Sequence, residues 1–348
     1  MQRCLQLAEQ GRAHVSPNPM VGAVLVFDER IIGEGWHQKY GGPHAEVNCI
    51  NSVAEADRQL ITQSTMYVSL EPCVHFGKTP PCADLIAENK IRHVVIGCRD
   101  SFAEVDGRGI EKLKAAGITV EAGILEKECI ELNKRFFTFH EKQRPYIILK
   151  WAQSGDGFIG ATGSERILIS NDITNRLVHK WRSEETAILV GTNTALLDDP
   201  SLTTRLWPGN NPVRLVLDKE LKLPASLKLF DGSTKTIVFN YKKQAYGDNI
   251  IYQQLNKDED MLLQILSSLY QQQMQSVIVE GGSKLLQSFI DAGLWDEARV
   301  ITNPTMIIHE GISSPLLKNE IPDKEEMAAT DIISFFIRDA EKLNTAND

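Results

Sequence analysis

The chain has 348 residues, 42% of them hydrophobic and 24% charged, and carries a net charge of -9. That size and balance predict two globular domains and argue against a nucleic-acid or membrane-surface binder that works by bulk charge. With no run near the roughly 18 apolar residues of a membrane span and no apolar signal core in residues 1–9, the cysteines (Cys4, Cys49, Cys73, Cys82, Cys98 and Cys129) are expected to be reduced thiols and metal ligands of a cytoplasmic protein, not a disulfide framework.

Met1, Cys4, Leu5 and Ala8 follow helical spacing, and Ser16-Pro17-Asn18-Pro19 marks a turn. Residues 20–27 and 31–36 read as two strands joined by Asp28-Glu29-Arg30, a hairpin. Gly41-Gly42-Pro43 breaks the chain, and a helix is expected over 44–56. Strands follow at 65–70, 93–97 and 118–121, with helices at 82–89 and 109–116. Leu125, Cys129, Leu132, Phe136 and Phe139 mark one face of a single closing helix. The polar stretch 140–144, broken by Pro145, sets the boundary, giving domains 1–143 and 144–348. Beyond it, apolar runs at 146–151, 187–190, 213–217, 236–239, 277–279 and 298–301 alternate with helical patterns at 172–183, 260–271 and 283–292. Residues 332–337 interrupt a charged tail as a last strand. Both halves therefore read as α/β with mostly parallel sheets.

Two segments carry chemistry: Pro43-His44-Ala45-Glu46, and Glu71-Pro72-Cys73 running through Val74-His75-Phe76-Gly77-Lys78-Thr79-Pro80-Pro81 to Cys82. His44, Cys73 and Cys82 offer one imidazole and two sulfurs, enough to hold zinc and leave the fourth position open, as catalytic sites do. His44 and Cys82 stand at predicted helix starts, where positive partial charge favours thiolate. Glu46 is left over as a proton shuttle. Zinc lowers the pKa of a bound water from about 15.7 to near 7, and a nearby carboxylate can move its proton. Taken singly, His44 could cap a helix and each cysteine could be core; the joint pattern favours the metal. It is similar to the H-x-E…P-C-x-x-C signature of zinc nucleobase deaminases, except that the second cysteine comes nine residues after the first.

With Asn18-Pro19-Met20-Val21-Gly22 ahead of it, that variant spacing resembles the family of bifunctional riboflavin-biosynthesis deaminase–reductases, over nearly the whole chain to about residue 310. The resemblance implies a cytidine-deaminase-like α/β/α domain followed by a dihydrofolate-reductase-like α/β domain. It implies zinc on His44, Cys73 and Cys82, Glu46 as shuttle, and removal of the 2-amino group of 2,5-diamino-6-ribosylamino-4(3H)-pyrimidinone 5′-phosphate. Asn18, His37, His75, Lys78 and Asp100 match positions that contact this substrate. The types fit: an Asn amide pairs with a base edge, and Lys78 and His75 suit a phosphate.

In the second half the resemblance rests on four stretches: residues 149–157; Val178-His179-Lys180-Trp181-Arg182; 188–203; and Val279-Glu280-Gly281-Gly282. It implies NADPH reducing the ribosyl chain to ribityl. The residues alone give a weaker signal: Gly281-Gly282 after a strand and before a helix suits a phosphate, and Lys150, Gly191 and Glu280 are expected at carboxyl ends of strands, where ligands gather. By the match, Glu165, Arg182, Leu202, Arg205 and Glu280 hold substrate, the two arginines as a phosphate clamp. Ala152, Ile167, Thr194 and Asp198, with Gly282, Ser283, Lys284, Leu285, Leu286, Gln287 and Ser288, line the NADPH site. Glu165 and Ile167 depart from the serine and tryptophan that many relatives offer.

Two other readings compete. A nucleic-acid base deaminase with an accessory domain is disfavoured by the acidic balance. A structural zinc module would need a fourth protein ligand, for which His75 and His37 are the candidates. The expected partner is a phosphorylated pyrimidine, with no nucleic acid and no membrane; a homo-oligomer stays open.

Overall fold

The structure is a computed structural model that describes residues 1–76, 80–102, 104–162 and 167–338. The chain divides into two units, Met1–Arg144 and Pro145–Asp348, each with its own main sheet. No helix among the described residues is long and apolar enough to cross a membrane.

The first unit runs α1 (Gln2–Glu9), β1 (Gly22–Phe27), β2 (Arg30–Trp36), α2 (Ala45–Asn51), β3 (Thr65–Leu70), α3 (Cys82–Glu88), β4 (His93–Cys98), α4 (Arg108–Ala115), β5 (Thr119–Ala122), α5 (Glu126–Leu132) and α6 (Lys134–Lys142). Its sheet has the order β2-β1-β3-β4-β5. Parallel pairing does not dominate here as expected: β1 is antiparallel to both its neighbours, and only β3, β4 and β5 run together. The tight turn at Asp28 and Glu29, whose φ values of 48° and 62° suit a two-residue hairpin, sends β2 straight back along β1. Alternate strand residues fill opposite faces: Ala23 and Leu25 pack with Ala45, Ala83 and Leu113, while Val24 packs with Cys4 and Leu7. Helices therefore cover both faces.

Two of the expected helices end early. The one expected to reach residue 56 stops at Asn51, where the Ser52 hydroxyl donates to Cys49 O at 2.7 Å and accepts from Glu34 N at 2.8 Å. A 3-10 stretch, Glu55–Gln63, follows; it buries only Ile61 and so has no apolar period to betray it. The closing helix is two, α5 and α6, because Asn133 leaves the helical region at φ -108°, ψ 22° and turns its side chain onto Met20.

The second unit runs β6 (Tyr146–Ser154), β7 (Phe158–Ala161), α7 (Asp172–Glu184), β8 (Ala187–Gly191), α8 (Thr192–Asp198), β9 (Val213–Leu217), β10 (Thr236–Asn240), β11 (Ala245–Tyr246), β12 (Ile250–Gln254), α9 (Met261–Gln271), β13 (Ser276–Val279), α10 (Ser283–Asp291), β14 (Glu297–Asn303), β15 (Gly311–Ser313), β16 (Lys324–Ala328) and β17 (Asp331–Ile337). The large sheet has the order β11-β12-β10-β9-β8-β13-β6-β14-β17-β16. Strands from β12 to β14 in that order are parallel, and antiparallel strands close each edge. Ile147, Leu149 and Trp151 pack with α9 and α10; Tyr146 and Ile148 pack with α7 and α8. The elements the sequence did not reveal are short or sit at an edge. β16 is the clearest, four of its five residues being exposed, since an edge strand needs no apolar face.

Gly35 on β2 sets how closely α2 approaches. A Cβ there would lie 2.2 Å from Cys49 N and 2.6 Å from Ala45 O. Gly35→Ala is expected to push α2 outward and cost about 1–3 kcal/mol. Since His44 and Glu46 enter from that helix, thermal unfolding and zinc content should fall together.

Candidate active sites

In the first unit, His44 is the N-cap of α2, Cys82 opens α3, and Cys73 lies in the loop that leaves β3. The strand delivers one sulfur and two helix starts deliver the other ligands. His44 Nδ1 lies 3.5 Å from Cys73 Sγ and 3.3 Å from Cys82 Sγ, and all three donor atoms fall within 4.8 Å of one another. Zinc bonds of about 2.0–2.1 Å to nitrogen and 2.3 Å to sulfur, arranged tetrahedrally, put nitrogen about 3.6 Å from sulfur, so the set fits zinc. Among the described residues no fourth His, Cys, Asp or Glu joins this cluster.

The electrostatics prepare the metal. The Cys73 thiol is held down to about 4, first by the Cys82 thiol's hydrogen bond and then, against burial, by His44 and the Cys82 N–H at 3.3 Å. Cys82 keeps the shared proton and is pushed well up. A cation bound there would take the place of that proton. Glu46, in the first turn of α2, is buried. Burial first, then the Cys73 sulfur, raise its carboxyl to about 6.

Around this trio the other expected residues gather. His37 Nδ1 lies 3.0 Å from Pro43 O, so Nδ1 carries the proton, and Nε2 accepts from Asn18 Nδ2 at 3.1 Å. Burial lowers its pKa and keeps this neutral form. His37 is thus buried with both ring nitrogens engaged, and its ring meets that of His44 at 5.5 Å. Asp100 is buried, accepts from Phe102 N at 2.8 Å, and is raised to about 7, chiefly by burial. His75 packs edge-on against Phe102 at 5.8 Å, and its Nδ1 is buried without a partner among the described residues. Lys78 lies outside the described residues.

One positioning group escaped the sequence reading. Glu71, buried beside Pro72-Cys73, accepts from Asp100 N (3.2 Å), Gly107 N (3.0 Å), Gly109 N (2.8 Å) and Ile110 N (3.1 Å). It caps α4 from another loop and ties Asp100 to the cysteine segment. The available signal was that Gly107 precedes α4 and brings no capping side chain.

In the second unit the order β8-β13-β6 makes neighbours of three segments distant in sequence. Gly191 N donates to Gly281 O at 3.1 Å and Glu280 N to Leu189 O at 2.9 Å. Lys150 Nζ stands 3.7 Å from Glu280 Oε2, although it occupies the middle of β6 rather than its end. Arg182, from α7, grips Glu280 with two bonds of 2.7 and 2.6 Å. Burial alone would raise the Glu280 carboxyl; Arg182 and Lys150 outweigh it and hold it at about 2. Arg182 is therefore committed to Glu280 and not poised for the expected two-arginine clamp, while Arg205 is exposed. His179, also unforeseen, is buried beside them. Burial and then Arg182 and Arg205 push it down to about 4, and its Nδ1 has no partner among the described residues.

The expected cofactor residues divide by surroundings. A Cβ on Gly281, at φ 139°, or on Gly282 would come within 3.2 or 3.1 Å of Thr194 Oγ1, so glycine keeps the backbone here clear of Thr194. Gly282 is the N-cap of α10, and no side chain caps that helix. Bare glycine backbone at a helix start that no side chain caps fits the phosphates of NADPH. Lys284 is exposed, and Ser283, Gln287 and Ser288 are half-buried and bonded to Ser313 O, Leu316 N and Leu285 O. Leu285 and Leu286 turn into the core. Leu202 is also core, with φ 52°, so only its backbone can meet a ligand. Ala152 pairs with Ile301 on β14, Asp198 ends α8 and Ile167 is half-buried. Glu165 lies outside the described residues.

Comparison with known proteins gives a consistent result. Residues 1–98 match the family described as cytidine and deoxycytidylate deaminase zinc-binding region, and residues 145–309 match the RibD C-terminal domain. The chain is 40% identical over 319 residues to riboflavin biosynthesis protein RibD of Aquifex aeolicus, covering 90% of this chain and 88% of that protein. To RibD of Escherichia coli it is 34% identical over 324 residues, covering 88% and 87%. A crystal structure of a diaminohydroxyphosphoribosylaminopyrimidine deaminase/5-amino-6-(5-phosphoribosylamino)uracil reductase from Thermotoga maritima is 37% identical, covers 97% of each chain and superposes with a TM-score of 0.88. Acinetobacter baumannii RibD is 29% identical over 97% of each chain, with a TM-score of 0.85.

Glu280 gives a pH signature. Its carboxyl titrates near 2 when folded and near 4.3 when unfolded. The stability it contributes is complete above about pH 4.3 and is lost as pH falls toward 2, by about 3 kcal/mol in all. Urea unfolding of the second unit between pH 5 and 2 should be flatter in Glu280→Gln than in the native protein.

Proposed function

The chain belongs to the RibD family of riboflavin-biosynthesis proteins, and from that premise we propose which of its residues carry each reaction. It is a bifunctional enzyme, a deaminase that uses zinc and a reductase that uses NADPH. The observation that carries the assignment is the convergence of His44, Cys73 and Cys82 with the buried Glu46 beside them.

The deaminase substrate is 2,5-diamino-6-ribosylamino-4(3H)-pyrimidinone 5′-phosphate. Oxygen from water bonds to C2 and ammonia leaves, giving the 2-oxo ring. Zinc held by His44, Cys73 and Cys82 supplies the Lewis acidity that makes water nucleophilic near neutral pH. Glu46, raised to about 6, takes the proton from the attacking oxygen and returns it to the departing amine. Asn18, its amide set by His37, reads the ring edge. Asp100, held by Glu71, faces the ring's polar groups, and His75 with Lys78 takes the phosphate.

The reductase then opens the ribosyl ring: C1′ gains hydride, the ring oxygen gains a proton, and a ribityl chain results. NADPH supplies the hydride when bound. Gly281, Gly282 and the start of α10 hold cofactor phosphate beside Thr194, and Ala152, Ile167 and Asp198, with Ser283, Lys284, Gln287 and Ser288, line the rest of the cofactor site. Glu280, kept ionised by Arg182 and Lys150, accepts from sugar hydroxyls. Arg205 takes the phosphate, and the Leu202 backbone and Glu165 complete the pocket. The partner is a free phosphorylated pyrimidine rather than a nucleic acid or a membrane, in keeping with a net charge of -9. A cytoplasmic setting keeps the ligand thiols reduced.

Glu46→Gln should retain zinc by metal analysis while ammonia release from the diaminopyrimidine falls about 10²- to 10⁴-fold. Full turnover with zinc in place would remove Glu46 from the mechanism. In the native enzyme, absorbance of reduced nicotinamide should fall only when the deaminated intermediate is supplied.

A further inference from the structure

Residues 17–20 read Pro-Asn-Pro-Met, so only Asn18 and Met20 bring a backbone N–H to this segment. Asn18 N donates to Val15 O at 2.8 Å. Met20 N donates to Asn133 Oδ1 at 2.8 Å, and Asn133 Nδ2 donates to Met20 O at 2.9 Å. One side-chain amide thus takes both hydrogen bonds that an adjacent strand would make, across 113 positions of sequence. Asn133 is 3% exposed. Its own backbone is anchored separately: its N–H donates to Ile130 O and its carbonyl accepts from Phe137 N, both at 3.0 Å. The clamp therefore hangs from the α5–α6 junction and owes nothing to the zinc ligands.

We propose that Asn133 is a positioning residue of the deaminase, which fixes Met20 and through it sets the Asn18 amide against His37 and the metal trio. The inference rests on the reading that Asn18 meets the pyrimidine. The chemistry requires an amide. Aspartate would still accept from Met20 N, but it would turn a second acceptor toward Met20 O. Alanine would leave both Met20 groups unclamped.

The test is a double-mutant cycle in the full-length zinc enzyme, with Asn133→Ala, Asn18→Ala and the pair. KM and kcat for the diaminopyrimidine are read beside zinc content, NADPH-dependent reduction of the deaminated intermediate, and amide exchange at Met20. Asn133→Ala should raise KM about tenfold or more, since a small displacement of a binding group has effects of that order. Zinc content and reduction should stay unchanged, and Met20 exchange should quicken by about tenfold while β3 and β4 stay protected. On the Asn18→Ala background the same change should cost less than about twofold more, because coupled residues are not additive. Unchanged KM and unchanged Met20 exchange would overturn the proposal, as would a full second penalty on that background or a loss of zinc. Should Asn133→Ala fail to fold, Asn133→Asp, which keeps the acceptor, carries the same comparisons. If the native enzyme releases no ammonia, the functional reading fails instead, and Met20 exchange alone decides whether Asn133 positions the segment.

Discussion

Two sulfurs and an imidazole nitrogen within 4.8 Å of one another are the constraint from which the first unit is arranged. Bringing three such groups together is unfavourable unless a cation takes the place of the proton that the thiols share, and metal affinity is correspondingly tied to deprotonation. The fold supplies the convergence with ordinary parts. A strand end delivers Cys73, and two helix starts deliver His44 and Cys82. Gly35 on β2 lets α2 lie close enough for its first turn to reach the same point.

Three buried glutamates show how surroundings set the task of a single side-chain type. At Glu46 burial and the neighbouring Cys73 sulfur outweigh the pull of His44 and raise the carboxyl to about 6, which leaves it ready to exchange a proton. Glu71 is saturated by four backbone N–H groups and serves as a fastener between loops. Glu280 has an arginine fork and a lysine, which hold it at about 2 as a fixed negative charge. The first can trade a proton near neutral pH, the second fastens loops, and the third stays a fixed negative charge. The order follows from the nearest partner of each carboxylate, not from its depth.

The second unit reaches its site by a different route. No metal cluster marks it among the described residues. It depends on sheet order, which sets β13 between β8 and β6 and so brings Gly191, Glu280-Gly281-Gly282 and Lys150 together. Open glycine backbone and an uncapped helix start do the work that charged side chains do elsewhere. Arg182, which by type could have held a phosphate, is spent on Glu280, while Arg205 stands exposed.

Much of this was legible in the residues. Period and punctuation located most strands and helices of both units, and His44, Cys73 and Cys82 announced a metal site because few other chemistries need those types at that spacing. What escaped was carried by contacts without a local pattern. An edge strand such as β16 has no apolar alternation to read, and the break at Asn133 looks like helix until Met20 is placed beside it. Glu71 resembles part of the cysteine motif until its carboxylate is seen under four backbone amides before and within α4, and Arg182 resembles a ligand group until Glu280 fills its fork. Sequence by itself determined which groups this protein has and located most of its strands and helices, because period and punctuation depend on neighbours along the chain. Only the tertiary structure decided which polar groups were already satisfied, because a hydrogen bond across 113 residues leaves no trace in local spacing.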